Sequence, residues 1–128
     1  MAESTDFVEI PNAISANLSG AGNVQTIIPL RGTKTLGLAE IADGTLAATI
    51  AVWTSGNYID PGNGDAAGIA AAEARADWNV LASGLANPAG AGIDSRVVLN
   101  VCDAAIRIRA TYTSGAGNIR IHAKKLSV

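Results

Sequence analysis

Apolar and polar side chains alternate along this chain in short bursts, and the clearest lie near the C-terminus. Ile106, Ile108, Ala110 and Tyr112 alternate with Arg107, Arg109, Thr111 and Thr113, and Ile119, Ile121 and Ala123 alternate with Asn118, Arg120, His122 and Lys124. A period of two sends successive side chains to opposite faces of a strand. Joined by Ser114-Gly115-Ala116-Gly117, the two runs predict a β-hairpin with an apolar inner face and a basic outer face.

The rest of the chain yields further short strands. Thr5 to Ile10 predicts a first one, which Pro11 ends or interrupts. Ser19-Gly20-Ala21-Gly22-Asn23 is a turn, and Val24, Thr26, Ile28 and Leu30 then alternate with Gln25, Ile27 and Pro29. Proline has no N–H to donate, so Pro29 predicts an edge strand. Leu36, Leu38 and Ile41 form a short apolar run before the turn pair Asp43-Gly44. Leu46 to Trp53 predicts a strand buried on both faces. Trp78, Val80 and Leu81 begin another, Ser83 to Gly92 reads as a flexible connection, and Val97, Leu99 and Val101 mark a further strand. The alanine-rich run Ala66 to Ala76 fits either a short helix capped by Asp65 or an ordered loop packed on a neighbour; Gly68 weakens the helix.

Seven or eight short strands with glycine-rich turns predict a mostly β fold: an antiparallel β-sandwich or jelly roll, with at most one short helix around 66–76. We expect an extended N-terminal arm over 1–16 and one domain over 17–128. The length of 128 residues suits a single domain. With one Phe, two Tyr and two Trp, the core must rest on Ile, Val and Leu. The single cysteine, Cys102, excludes an intrachain disulfide. Residues Met1 to Asp6 have neither the basic region nor the apolar region of a signal peptide, and no apolar stretch is long enough to cross a bilayer. These features predict a soluble protein made in a reducing cytoplasm, with no membrane partner.

The net charge of −2 conceals an asymmetry: 1–95 holds ten acidic and three basic side chains, whereas 96–128 holds one acidic and six basic. One reading is uneven surface decoration. The other is an electrostatic handle, by which the basic end docks on an acidic neighbour or on the acidic part of another copy. Arg107, Arg109, Arg120, His122 and Lys124 are the candidates for one contact surface; Asp6 and Glu9, in the arm, are the candidates for a second. A single-strand nucleic-acid binder would interleave stacking aromatics with these charges, and the alternation places none on this face, so a protein surface is the preferred partner over nucleic acid.

Catalytic constellations are missing. His122 alternates outward among like charges, no G-x-S-x-G elbow accompanies it, and Cys102 reads as a small buried side chain. One Cys and one His do not make a usual structural zinc site within one chain. Asp60 and Asp65 flank Pro61-Gly62-Asn63-Gly64, but the order of ligands in a calcium loop is absent, as is a phosphate-binding G-x-x-x-x-G-K-[ST] run. The sequence therefore predicts no catalytic residue, no metal, no cofactor and no enzymatic activity.

Trp78-Asn79-Val80-Leu81, the strand Ala105-Ile106-Arg107-Ile108-Arg109-Ala110-Thr111-Tyr112 and the turn Thr113-Ser114-Gly115-Ala116-Gly117 resemble elements of small β-sandwich proteins of tailed-bacteriophage virions. In that family a Trp-containing strand, an R-x-R-x-x-Y strand and a Ser-Gly-x-Gly hairpin recur; the likeness covers roughly 78 to 124. It implies a head decoration, or cement, protein: a dimer or trimer on the outer capsid surface of a virion made in the bacterial cytoplasm, stabilising the capsid by bridging neighbouring major capsid subunits. The alternative is a carbohydrate- or receptor-binding module of a tail fibre or larger enzyme, with Trp53, Tyr58 and Trp78 as ring-stacking candidates or, more simply, as core.

Overall fold

The alternating segments become strands arranged face to face. The computed structural model describes residues 6–30, 35–62, 65–86, 93–99 and 104–127, with side chains over 13–30, 37–62, 65–81 and 104–124. The elements are β1 (Asp6–Leu18), β2 (Asn23–Pro29), β3 (Thr35–Ala42), β4 (Ala47–Ser55), α1 (Ala66–Arg75), β5 (Asn79–Ala86), β6 (Ile93–Leu99), β7 (Ala105–Ser114) and β8 (Gly117–Ser127). Two four-stranded antiparallel sheets result: sheet A, in the order β1-β8-β3-β6, and sheet B, in the order β2-β7-β4-β5. Successive strands change sheet at nearly every connection, which is the eight-stranded jelly-roll arrangement. The predicted sandwich class and the single short helix are both present.

Several local features follow from residue chemistry. Pro29 lies in β2, an edge of sheet B, where a missing donor costs no ladder bond. Pro11 lies within β1 where the register with β8 shifts between Ile10 and Ile14, so it interrupts the ladder without ending the strand. The segment 1–16, expected as an extended arm separate from the domain, runs from Asp6 onward as an outer strand of sheet A, paired with β8 from Asp6–Ser127 to Leu18–Gly117. An extended chain with unspent N–H and C=O groups adds to the open edge of its own sheet. Cys102 and Val101 lie outside the described residues, as do 87–92 of the connection expected over Ser83 to Gly92; β5 takes up its first part, to Ala86.

The predicted β7–β8 hairpin does not form. β7 pairs with β2 and β4, whereas β8 pairs with β1 and β3. Ser114 to Gly117 is a crossover between sheets. Alternation was read correctly, since Ile106, Ile108 and Ala110 are completely buried, as are Ile121 and Ala123, with Ile119 almost so. The two apolar rows belong to opposing sheets and meet in one core with Ile14, Ile28, Leu30, Leu38, Leu46, Ile50 and Val52. Two isoleucine rows in one flat hairpin would cover only one side of a core; placed in opposing sheets they enclose it. Glu40 also projects inward from β3 and is fully buried.

Leu46 to Trp53 departs from expectation on one face. Leu46, Ala48, Ile50 and Val52 are buried, but Thr49 on the outer face is exposed and Trp53 only partly covered. The outer cover is α1, a single short helix resting over Ile27, Ala104 and Ala105, and it does not reach the Thr49 end.

The crossover turns are tied to each other. The N–H of Asp43 donates to the Asn118 carbonyl (3.1 Å) and that of Thr45 to the Ala116 carbonyl (2.9 Å). Asn118 N–H returns a bond to Asp43 Oδ1 (2.7 Å), and Ala116 N–H one to Thr45 Oγ1 (3.1 Å). Gly44 and Gly115 hold φ of 65° and 75°, and a Cβ on Gly115 would overlap the Thr45 carbonyl. Gly115→Ala is therefore expected to lower stability by at least about 2 kcal/mol through left-handed strain and overlap. Gly20→Ala, in the β1–β2 turn with open space around it, should stay within about 0.5 kcal/mol. Urea denaturation of both variants checks the contrast.

Candidate functional site

The division of β7 and β8 between sheets also divides the basic residues. Arg107 and Arg109 project from the outer face of sheet B; Arg120, His122 and Lys124 project from the outer face of sheet A, on the opposite side of the molecule. The single basic face expected from sequence is thus two surfaces. Asp6 and Glu9 lie in β1 opposite Ser127 and Lys124 in register, with their side chains outside those described. The acidic start and basic end of the chain are therefore neighbours in one sheet.

On sheet B the two arginines are engaged within the molecule. Ile69, Ala72, Glu73 and Ala76 fall at helical spacing, so the lone carboxylate Glu73 shares the face that α1 turns to the sheet. Its Oε2 accepts from Arg107 Nη1 at 2.7 Å, and its two oxygens accept from Gln25 Nε2 at 3.0 and 2.9 Å. Gln25 Oε1 in turn accepts from Arg109 Nε (2.9 Å) and Nη2 (2.7 Å). The Arg107 guanidinium lies 4.4 Å from the Trp53 ring centroid and 4.6 Å from that of Trp78, and Arg109 lies 5.0 Å from Trp53. Trp78 Nε1 donates to the Glu73 carbonyl (3.0 Å), and its ring meets Tyr58 at 5.8 Å between centroids.

This cluster corrects two expectations. Aromatic rings do accompany the arginines, because β4 and the segment after α1 bring Trp53 and Trp78 to β7 from distant sequence positions. The rings are not an open platform for sugars or bases, however, since they stack on guanidinium groups and Tyr58 is only 7% exposed. Burial, with Asp60 and Glu73 adding to it, pushes the Tyr58 phenol above its ordinary range. Beside the cluster an apolar surface stays open: Val80, opposite Trp53 in register, is 60% exposed and Leu81 47%.

On sheet A the row Arg120–His122–Lys124 of β8 lies beside β3, where Arg120 faces Ile41, His122 faces Ala39 and Lys124 faces Gly37. At the crossover end this face opens into a cleft of about 440 Å³ that includes Ser15, Asn17, Ile41, Asp43, Asn118 and Arg120. The Asn118 backbone N–H and then its side-chain amide hold the Asp43 carboxyl below its usual value. Sequence reading passed over Asp43, Asn118, Gln25 and Glu73. Glu73 had a visible signal, a carboxylate on the inward spacing of an alanine-rich helix; the others depend on strands meeting in space. Among the described residues no three His, Cys, Asp or Glu side chains cluster in a way that could hold a metal ion, and no helix is long and apolar enough to cross a membrane.

No protein-family model matches the chain, and no curated protein matches its sequence. Among solved structures it is similar to a Yersinia pseudotuberculosis-derived mitogen, with 12% identity, a TM-score of 0.44 and coverage of 98% of this chain and 87% of that one. It is also similar to a chain of the infectious bursal disease virus Gx strain, with 11% identity, a TM-score of 0.49 and coverage of 98% and 32%. A third is the K3 cleaved adhesin domain of Lys-gingipain from Porphyromonas gingivalis W83, with 13% identity, a TM-score of 0.42 and coverage of 87% and 72%. Likeness at this level transfers neither family nor function, and the functional reading rests on the residues.

Two measurements test the site geometry. Glu73→Ala strands the Arg107 guanidinium, only 12% exposed, without its carboxylate. It should cost about 3 kcal/mol in urea denaturation and shift the tryptophan emission as α1 loosens. For Asp43, a depressed folded-state pKa favours the fold at pH values above the unfolded pKa. That contribution is lost as pH falls through the lower folded value. Carboxyl NMR titration should place its midpoint below 3.8. Asn118→Ala should move it only partway back, because the backbone donor remains.

Proposed function

We propose that this chain is a virion structural protein acting by binding alone: a decoration protein that sits on the outer capsid surface as a dimer or trimer and bridges neighbouring major capsid subunits. The observation that carries this reading is the pair of unlike surfaces on opposite sides of one sandwich. On sheet A the polar row Arg120, His122 and Lys124 runs along β8, with Arg120 exposed and Lys124 opposite Glu9 in register. Sheet B presents an apolar edge, Val80 and Leu81, beside the Trp53–Arg107 stack. A bridge needs two faces held at a fixed separation, and a core shared by both sheets holds them so.

The chemistry of the faces suits unlike partners. The exposed Arg120 steers and orients an acidic surface. The apolar edge of Val80 and Leu81 offers area that a partner can cover. Stabilisation then follows from linkage: a clamp that binds only the expanded lattice favours that lattice by its binding free energy, with no reaction required. Jelly rolls serve in capsids and in lectins alike, so the fold is compatible with this role and does not select it.

The test is co-sedimentation of the purified chain with shells of the major capsid protein encoded in the same genome, before and after expansion. Saturable binding to expanded shells, with a raised shell melting temperature, is expected. Arg120→Glu should weaken it at least about tenfold, the scale of losing one charged contact. Absence of binding to either shell form overturns the reading.

A further inference from the structure

The cleft at the crossover end of sheet A holds a hydrogen-bonded chain, Asn17–Asn118–Asp43, that the proposed bridging role does not use, although the cleft shares Arg120 with it. Two cross-strand rows form its floor. In one, Arg120 of β8 stands between Ser15 of β1 and Ile41 of β3; in the next, Asn118 stands opposite Asn17, with Asp43 beyond it. The rows lie two residues apart along the strands, about 7 Å. Asn17 Nδ2 donates to Asn118 Oδ1 (3.1 Å), and Asn118 Nδ2 donates to Asp43 Oδ2 (3.1 Å). Together with the Asn118 N–H bond to Asp43 Oδ1 (2.7 Å), these bonds fix the three side chains in one orientation.

A count of donors and acceptors shows what is left over. A carboxylate has about four lone-pair positions, and Asn118 occupies one on each Asp43 oxygen, so both oxygens can accept again. Asn17 keeps its carbonyl and one N–H, and Ser15 keeps an exposed hydroxyl. Arg120 is exposed beside Ile41, and its planar donor fork suits an anion. One row therefore offers mostly acceptors with an amide donor, the other a cation and a hydroxyl.

That pattern selects a ligand class. Hydroxyl groups both donate and accept, and an Asp–Asn pair meets both needs. A phosphate-rich ligand would face the fixed Asp43 carboxylate with a single cation to offset it. A molecule with hydroxyls at one end and one carboxylate at the other matches both rows, and the volume of about 440 Å³ falls in the range of small-ligand clefts. We propose that this cleft binds a uronic-acid unit of an acidic polysaccharide, with Arg120 pairing the sugar carboxylate bidentately and Asp43 and Asn17 taking ring hydroxyls.

The experiment uses the full chain in isolation, so its result is separate from shell binding. Digalacturonate, neutral galactobiose and acetate are titrated while two-dimensional NMR follows the side-chain amides of Asn17 and Asn118 and the Arg120 Nε–H. Digalacturonate should move all three signals, and galactobiose should bind at least tenfold more weakly. Arg120→Ala should reduce digalacturonate affinity to the level of the neutral sugar. Asn17→Ala should weaken both sugars alike, and an unchanged remainder of the spectrum shows that each variant is folded. Equal affinity for the two sugars, acetate binding as tightly as digalacturonate, or shifts confined to other residues would each overturn the proposal.

Discussion

The jelly roll depends on one place where backbone meets backbone with no side chain between. At the crossover end, Asp43-Gly44-Thr45 and Gly115-Ala116-Gly117 exchange hydrogen bonds closely enough that Cβ atoms at Gly44, Gly115 and Gly117 would strike carbonyl oxygens of the facing turn. Those bonds satisfy polar groups that leave the sheets there. They also hold the β3–β4 and β7–β8 crossings side by side, and so commit β7 and β8 to different sheets. The core of facing isoleucine rows, the placement of the basic residues and the cleft beside Asp43 all follow from that commitment.

A second consequence concerns how charge is used. Arg107 and Arg109 look like surface cations in the sequence, yet Glu73 and Gln25 bind them and two tryptophans stack on Arg107. The cluster anchors α1, a ten-residue helix in which Ala72 is the sole buried residue. A helix this short and this poor in buried apolar area gains little from propensity or packing, so the Glu73 carboxylate in its last turn carries much of the attachment. What remains exposed differs on each side: Arg120 and a polar cleft on sheet A, an apolar edge on sheet B.

This separation gives the proposed bridging role and the proposed sugar site a common basis. A rigid core sets the distance between the two faces, and the tied crossovers pre-order the Asn17–Asn118–Asp43 chain without ligand, which lowers the entropy lost on binding. Arg120 belongs to both surfaces, at the boundary between the row and the cleft.

Much of the architecture was determined by the sequence alone. Period-two alternation identified the inward residues of β7 and β8, Pro29 marked an edge strand, and the glycine pairs marked turns, because side-chain direction and φ restriction are local properties. The alanine run left helix and loop open, and α1 formed over Ala66–Arg75. Pairing was not legible, since alternation states which face of a strand is buried but not which strand lies beside it. A glycine-rich link after an alternating strand suits a hairpin and a sheet-to-sheet crossing equally. Only the tertiary structure, through the contact of two turns some 70 residues apart, decided that β7 and β8 part. That decision put the basic residues on opposite faces, brought Trp53 and Trp78 onto Arg107 and assembled the cleft from three strands.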